Sequence, residues 1–96
     1  MPAAAKPYVL RLYVTDATPK SARAIVNLRR ILEEHLAGQY SLEILNIADH
    51  VARATADQIV ATPTLLRLAP LPLRRSIGDM SDVARVLSGL GLYELH

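Results

Sequence analysis

The chain has 96 residues, no cysteine, a hydrophobic share of 51%, and 11 basic against 9 acidic residues. This length predicts a single domain over residues 1–96, and the apolar share excludes a disordered chain. Without cysteine there can be no disulfide, thiolate nucleophile or redox dithiol, and the formal net charge of +2 is too small to indicate nucleic-acid binding by itself.

The first half of the chain predicts a strand, a helix and a second strand. Residues 8–14 are rich in β-forming side chains. Thr18 is a good N-cap for a helix over 19–37, which begins with proline and ends at Gly38. Residues 40–47 largely alternate between apolar and polar and predict the second strand. Two strands joined by such a helix are expected to be parallel, with a right-handed crossover.

The middle of the chain predicts a weaker helix and a third strand. Residues 48–58 are rich in alanine, with Asp49 as a possible cap. The stretch 59–68 contains Thr62-Pro63 and predicts a strand, which proline can enter only at its first residue or edge. Such a peptide bond can also be cis at modest cost.

The last part predicts a strand and a helix after a proline-rich turn at 70–72. Residues 73–77 are predicted to form a short strand antiparallel to the third, and Ser81 is expected to cap the final helix. Glycines 89 and 91 fray or end that helix. The resulting order, β-α-β-α-β-β-α, is that of a thioredoxin-like domain.

Segments along most of the chain resemble the KaiB family of the bacterial Kai clock system. The strongest segment is Ala61-Thr62-Pro63-Thr64, and its combination with Arg74-Arg75 and Ile77-Gly78-Asp79 is specific, whereas either alone would not be. Further matching segments are Tyr8–Val14, Thr18-Pro19, Ser21–Ala24, Ile31-Leu32-Glu33, Gly38, Pro72, Ser81, Val86-Leu87, Gly89-Leu90 and Tyr93.

The resemblance implies that the second half of the chain has two alternative folds. One is a thioredoxin-like β-α-β-α-β-β-α monomer with cis-Pro63, and the other is a ground-state β-α-β-β-α-α-β tetramer. Such a switch needs two arrangements within a few kcal/mol of each other. We expect the thioredoxin-like form here. The candidate structural or switch residues are Pro63, Pro70, Pro72, Gly89 and Gly91.

Three departures from the family bear on which fold dominates. Where the family has an unbroken proline cluster, this chain has Pro70-Leu71-Pro72. The family usually has an acidic residue where this chain has Gly91, and the chain ends at His96 without the long acidic tail of many clock members. The tail and the late helix help to build the tetramer, so we expect a weaker tetramer here.

The resemblance also implies the partners and the class of function. The family implies a non-enzymatic adaptor that binds a hexameric KaiC-type ATPase, and then captures KaiA or displaces a histidine kinase. One alternative is the thioredoxin-like sensor domain of a histidine kinase taken alone, against which the ending at His96 argues. Another is a thiol-independent relative of oxidoreductases, which the lack of cysteine weakens.

Four arginines are candidate partner-binding residues: Arg11, Arg23, Arg74 and Arg75. The family has basic residues matching Arg11, Arg23 and Arg75 on a charged surface, but Glu43 replaces a usual lysine. The alternative is that these side chains only solubilise the surface. The segment 48–58 and the edge strands are the expected protein-binding surface.

Other site classes find little support in the sequence. The loop 15–18, which matches the redox loop of thioredoxins, carries no reactive group, and catalysis is not expected. His35, His50 and His96 lack metal-ligand spacing, so no metal or other cofactor is expected. Tyr8 and Tyr13 flank Arg11 as in strands that stack nucleic-acid bases, an interpretation that ranks third. No apolar run has membrane-spanning length and no signal peptide is evident, so we expect a cytoplasmic protein without membrane contact.

Overall fold

Four strands and three helices make up the computed structural model, which describes residues 6–92. In chain order they are β1 (Tyr8–Val14), α1 (Pro19–Leu36), β2 (Tyr40–Asn46), α2 (Val51–Ala56), β3 (Thr64–Ala69), β4 (Arg74–Ile77) and α3 (Val83–Gly89). A short 3₁₀ turn, Ile47–Asp49, precedes α2. The predicted β-α-β-α-β-β-α order is confirmed. No helix within residues 6–92 is long and apolar enough to cross a membrane.

The strands form one sheet in the order β2-β1-β3-β4. β1 and β2 are parallel, as expected for a strand–helix–strand unit, and β3 runs antiparallel to both of its neighbours. The β1-α1-β2 unit and the β3–β4 hairpin are therefore joined in one sheet by the pairing of β1 with β3.

Successive side chains of β1 point to opposite faces of the sheet. Leu10, Leu12 and Val14 lie in the main core, which contains the buried side of α1 and of α3. Tyr13 points to the opposite face, where it belongs to a smaller buried cluster. The other members of that smaller cluster are Leu45, Ala54 and Leu66. The two faces are called the α1/α3 face and the α2 face below.

α1 begins and ends where the sequence predicts. The Thr18 hydroxyl accepts a hydrogen bond from the Ser21 backbone N–H, and Pro19 occupies the first helical position. Gly38 follows the helix with a φ of +74°, a conformation that glycine adopts without steric cost. The helix buries an apolar stripe against the sheet: Ala24, Leu28, Ile31, Leu32 and Leu36.

Two of the predicted helix caps are wrong. Asp49 lies inside the 3₁₀ turn, whose cap is the Asn46 side chain, while α2 starts after His50 without a side-chain cap bond. α3 is capped by Asp82, which accepts from the Arg85 N–H at 3.1 Å, and not by Ser81. In both cases the residue at the N-cap position is the one that follows the predicted residue, because the path of the chain through the turn determines where the helix begins.

The helical and strand segments of the second half are shorter than predicted. β3 begins at Thr64, and residues 59–63 form a connection in which the Ile59 N–H bonds to the Ala54 carbonyl. Pro63 is buried at the entrance to the strand, and its peptide bond with Thr62 is cis. Proline cannot donate to a strand ladder, which is consistent with the strand starting one residue later.

The other candidate switch residues lie at the ends of elements. Pro70 and Pro72 are exposed between β3 and β4. Gly89 ends α3 so close to β4 that a Cβ there would collide with the Ser76 hydroxyl. Gly91 has a φ of +76° just after the C-cap residue Leu90, so its predicted capping role is confirmed. Tyr93 and His96 lie outside the described residues.

Candidate functional site

A row of four aligned side chains, three of them charged, crosses the α2 face of the sheet. The strand register aligns Glu43 with Arg11, Arg11 with Leu66, and Leu66 with Arg75. These four side chains come from β2, β1, β3 and β4 respectively, so the row spans the whole width of the sheet. Because α2 lies over this face, the row also determines what the helix can contact.

Arg11 joins two carboxylates on this face. Its Nε donates to Glu43 Oε2 at 3.0 Å, and its Nη1 donates to Asp57 Oδ2 at 2.8 Å. Arg53, on α2, donates from Nη2 to the same Glu43 oxygen at 2.9 Å. β1, β2 and the C-terminal end of α2 are therefore connected by alternating positive and negative groups.

Tyr13 completes this arrangement from the buried side. Its hydroxyl donates to Asp57 Oδ2 at 2.6 Å, although the ring itself is fully buried. We call Arg11, Tyr13, Glu43, Arg53 and Asp57 the α2 network. A buried hydroxyl needs such a partner, since an unbonded one would cost free energy.

The network shifts the protonation equilibria of its members. Burial raises the pKa of Asp57, but hydrogen bonds from Tyr13 and Arg11 outweigh burial and hold that pKa below its ordinary value. The hydrogen bond from Arg11 is the main cause of the lowered pKa of Glu43, which burial opposes. Burial, and then the hydrogen bond to Asp57, raise the pKa of Tyr13. Both carboxyl groups are therefore held in the charged form at neutral pH.

Arg75 holds the C-terminal end of α2 from β4, the strand at the other edge of the sheet from β2. Its Nη2 and Nη1 donate to the backbone carbonyls of Asp57 and Gln58, each at 3.0 Å. These carbonyls follow the last turn of α2, where helix geometry leaves acceptors unbonded and where positive charge is favourable. A guanidinium group suits this position because it can donate two bonds in parallel.

The structure does not bring the four predicted arginines together. Arg11 and Arg75 lie on the α2 face with Leu66 between them. Arg74, the neighbour of Arg75 along β4, points to the α1/α3 face. Arg23 lies on α1, largely exposed, and pairs with Asp79 at 3.4 Å.

Exposed apolar side chains lie in and next to the predicted protein-binding segment 48–58. The exposed fraction is 63% for Val51, at the start of α2, and 88% for Val60, just after the segment. Between them, Ala52, Thr55 and Ala56 are also exposed, whereas Ala54 packs against the sheet. The outward side of α2 is thus small and apolar, with the charged α2 network along its border.

The loop 15–18 and Pro63 meet at the N-terminal end of α1. The Thr15 and Thr62 hydroxyls are hydrogen-bonded at 2.6 Å, and an open cavity of about 320 Å³ lies beside the loop. Asp16 and Thr18 line this cavity together with apolar side chains. The cavity offers hydroxyl groups and one carboxylate, without the thiol pair that redox chemistry would need.

The structure also bears on the metal and base-stacking interpretations. Within residues 6–92, no cluster of three or more His, Asp or Glu side chains could hold a metal ion. His35 is exposed and His50 half-buried, while His96 lies outside the described part. The base-stacking platform is wrong: Tyr13 is fully buried, and Tyr8 lies on the other face of the sheet.

Sequence reasoning missed three members of the α2 network: Tyr13, Arg53 and Asp57. The alternation of β1 does place Tyr13 on the same face as Arg11, which was an available signal. Nothing local identifies Asp57, which is 46 residues from Arg11 and 44 from Tyr13.

Sequence comparison with known proteins identifies the family. The KaiB domain family model matches residues 11–92. A circadian clock oscillator protein KaiB from Prochlorococcus marinus (strain MIT 9313) is 49% identical over 91% of this chain and 73% of its own length. Another, from Synechococcus elongatus (strain ATCC 33912 / PCC 7942 / FACHB-805), is 47% identical over 91% of this chain and 85% of its own.

Solved structures confirm the fold class. The N-terminal domain of Synechococcus elongatus SasA has a TM-score of 0.74 and 25% identity, covering 100% of this chain and 95% of that domain. Chloroplastic thioredoxin z has a TM-score of 0.72 at 13% identity, covering 90% of this chain and 77% of its own, and therefore shows the fold alone. The fold is thioredoxin-like, and the chain belongs to the KaiB family of circadian clock proteins.

Proposed function

We propose that this chain is a non-enzymatic adaptor that binds the ring of a KaiC-type hexameric ATPase in the cytoplasm and modulates its ATPase or phosphorylation cycle. The observation that carries the proposal is the arrangement of residues 51–89, which follow the α-β-β-α order of thioredoxin. The family resemblance implies that this order is the ring-binding form. Capture of KaiA or displacement of a histidine kinase would follow on the assembled complex.

The outward side of α2 is the proposed contact surface. Val51 and Val60 supply exposed apolar area, and Arg53 supplies charge at its border, with 41% of its side chain exposed. Protein interfaces commonly combine an apolar centre with a polar rim. Arg11 and Arg75 then act by holding α2 in place, since their guanidinium groups are already bonded to it.

Arg23 and Arg74 have a different place in this proposal. Both lie away from the α2 surface, on the α1/α3 face. They stay predicted partner contacts, for the second partner rather than for the ring. A partner with acidic side chains would suit Arg23, whose side chain is 58% exposed.

A binding measurement with matched valine variants tests the ring contact. The chain, labelled with a fluorophore, is titrated with KaiC hexamer and followed by anisotropy. We expect Val60→Glu to weaken binding at least tenfold, because an interface centre rarely tolerates a buried charge. The control is Val26→Glu, on the exposed side of α1, where 65% of the side chain is exposed. It should change the affinity less than about twofold.

Two results would contradict the proposal. If the wild-type chain does not bind the hexamer, ring binding is wrong. If both glutamate variants bind like the wild type, the ring contact does not involve the α2 surface. Circular dichroism of each variant excludes the trivial case of unfolding.

That the second half of this chain can adopt two alternative folds, as the family resemblance implies, stays a prediction. The elements of the second half are short: α2 has 6 residues, β4 has 4 and α3 has 7, against 18 in α1. Short elements gain little stability from their own local contacts, which supports an alternative arrangement of this half. NMR chemical shifts with a rotational correlation time would test it. A helix across residues 63–77 with tetramer-sized tumbling would show the ground-state fold.

A sensor domain of a histidine kinase is the second candidate function. The observation that favours it is the likeness to the SasA N-terminal domain over the whole chain. The identity of 47–49% to proteins named KaiB, against 25% to SasA, favours the adaptor. A kinase segment encoded in the same polypeptide would reverse this preference.

A further inference from the structure

We propose that Arg67 and Arg74 form a binding site for an oxoanion, a carboxylate or a phosphate group, where β3, β4 and the segment after α3 meet. This site lies on the α1/α3 face and does not depend on ring binding.

The two arginines are neighbours across the β3–β4 hairpin. The register aligns Arg67 with Arg74, and Arg67 also aligns with Leu10 of β1. Leu10 belongs to the main core. The two arginines therefore lie on the same face of the sheet as the core, nearer to the edge strand. Two guanidinium groups at such a position repel each other unless negative charge accompanies them.

Arg67 is buried and only partly bonded. Its side chain donates from Nη1 to the Leu90 carbonyl and from Nη2 to the Pro72 carbonyl, the latter at 2.9 Å. The residue is only 6% exposed, and its Nε has no hydrogen-bond partner among the described residues. The Nε of Arg74 is likewise buried without a partner in this part of the chain. Buried donors are rarely left unbonded in native proteins.

Neutral carbonyls do not balance the charge of the pair. The ion pairs within residues 6–92 use Arg11, Arg23 and Arg53, and none includes Arg67 or Arg74. Burial of an arginine without a counter-charge costs free energy, and an oxoanion both cancels charge and accepts several N–H bonds. The geometry therefore favours an oxoanion whose oxygens two guanidinium groups can share.

Gly91 borders the site and leaves it without a side chain. A Cβ at this position would lie 2.5 Å from Arg67 Nη1 and 3.5 Å from Arg74 Nε. The position also has a φ of +76°, a conformation that side chains disfavour. Any substitution here would push the Arg67 guanidinium away from the Leu90 carbonyl, so Gly91 is left unchanged in the experiment.

The anion can come from two sources, which share the same chemistry. One is a free ion in solution. The other is the chain itself, because Glu94 follows the last described residue, Leu92, by two positions in the sequence. Arg67 is left unchanged in the experiment, since its bonds to Leu90 and Pro72 also hold the fold.

The test compares thermal unfolding of the full chain in sodium phosphate and in sodium chloride of equal ionic strength. If the ion comes from solution, phosphate should raise the wild-type Tm by roughly 5 °C at several times its dissociation constant. Arg74→Gln should lose this rise, whereas Arg30→Gln, an exposed arginine on α1, should keep it.

If Glu94 supplies the anion, different phosphate responses are expected. The wild type should then not respond to phosphate, Glu94→Gln should lower the Tm, and the variant should gain the phosphate response. Adding Arg74→Gln to that variant should abolish the gained response. The proposal is overturned if neither the wild type nor Glu94→Gln responds to phosphate beyond chloride. Where the wild type does respond, the proposal is equally overturned if Arg74→Gln responds as strongly as Arg30→Gln.

Discussion

The two faces of the sheet are held to their helices by different forces. On the α1/α3 face, leucine and isoleucine side chains from α1 meet Leu10, Leu12 and Leu65 in a large buried core. On the α2 face, the buried cluster is small, and α2 contributes only Ala54 to it. Charged side chains supply the remaining contacts through the α2 network and Arg75.

This difference shows which part of the molecule is suited to change. Apolar burial depends little on pH or salt, so the α1/α3 face should respond only to loss of volume. Ion pairs at partly exposed positions are weaker and depend on both conditions. We therefore expect α2 to loosen before the main core does, and the α2 surface is also the proposed site of partner binding.

The largest effect is expected in the main core. Leu12 is fully buried, and Leu12→Ala should lower the free energy of unfolding by about 3 kcal/mol through lost burial and a remaining cavity. Val51→Ala, at the exposed start of α2, should change it by less than about 0.5 kcal/mol. Urea denaturation gives both values. Equal losses would show that the two faces do not differ as described.

An intermediate effect is expected at Asp57 under acid conditions. Its pKa in the folded chain lies below the ordinary 3.8, so its stabilising contribution is present above that pH and lost as the pH falls through the folded value. Asp57→Asn should remove this pH dependence and loosen α2 already at neutral pH, by about 1 kcal/mol. NMR signals of α2, compared with those of α1 as the pH is lowered from neutral through the folded-state pKa of Asp57, report the loss locally.

The matched control for Asp57 is Asp49→Asn, an exposed position in the 3₁₀ turn. It should leave the acid response of α2 unchanged. If α1 and α2 lose their signals together in the wild type, α2 is not held separately from the core, and the network does not have the role assigned to it.

The smallest effect is expected at Glu43. Its side chain is 43% exposed, and exposed ion pairs contribute only about 0–1 kcal/mol. Glu43→Gln should therefore lower the unfolding free energy only slightly, and the loss should shrink further in 1 M salt. A urea midpoint at low and at high salt measures both. A loss that salt does not reduce would mean that Glu43 acts through packing instead of charge.

Most of the fold could be predicted from the sequence because its signals are local. The strand at 8–14 and the helix beginning at Pro19 were correct to within one residue, since alternation, an N-cap and a following glycine all act over a few residues. The predictions failed in the second half, at Asp49, at Ser81 and at the start of β3. There the segments are short, and the path of the chain between them determines where each begins.

The candidate site was predicted only in part for a different reason. Arg11 and Arg75 were identified as candidates, but the structure shows that they bond to the chain's own α2 end. Asp57, which connects them, was not identified. An ion pair between residues 46 positions apart depends on strand register and helix placement, and neither can be read from spacing alone.

The sequence by itself determined the order of the elements, the absence of thiol chemistry and the resemblance that the family comparison confirmed. Only the tertiary structure decided which arginines share a face, which one holds the end of α2, and that Arg67 and Arg74 meet without a described counter-charge. The physical reason is that apolar periodicity acts along the chain, whereas charges interact through space and find their partners only after the sheet has assembled.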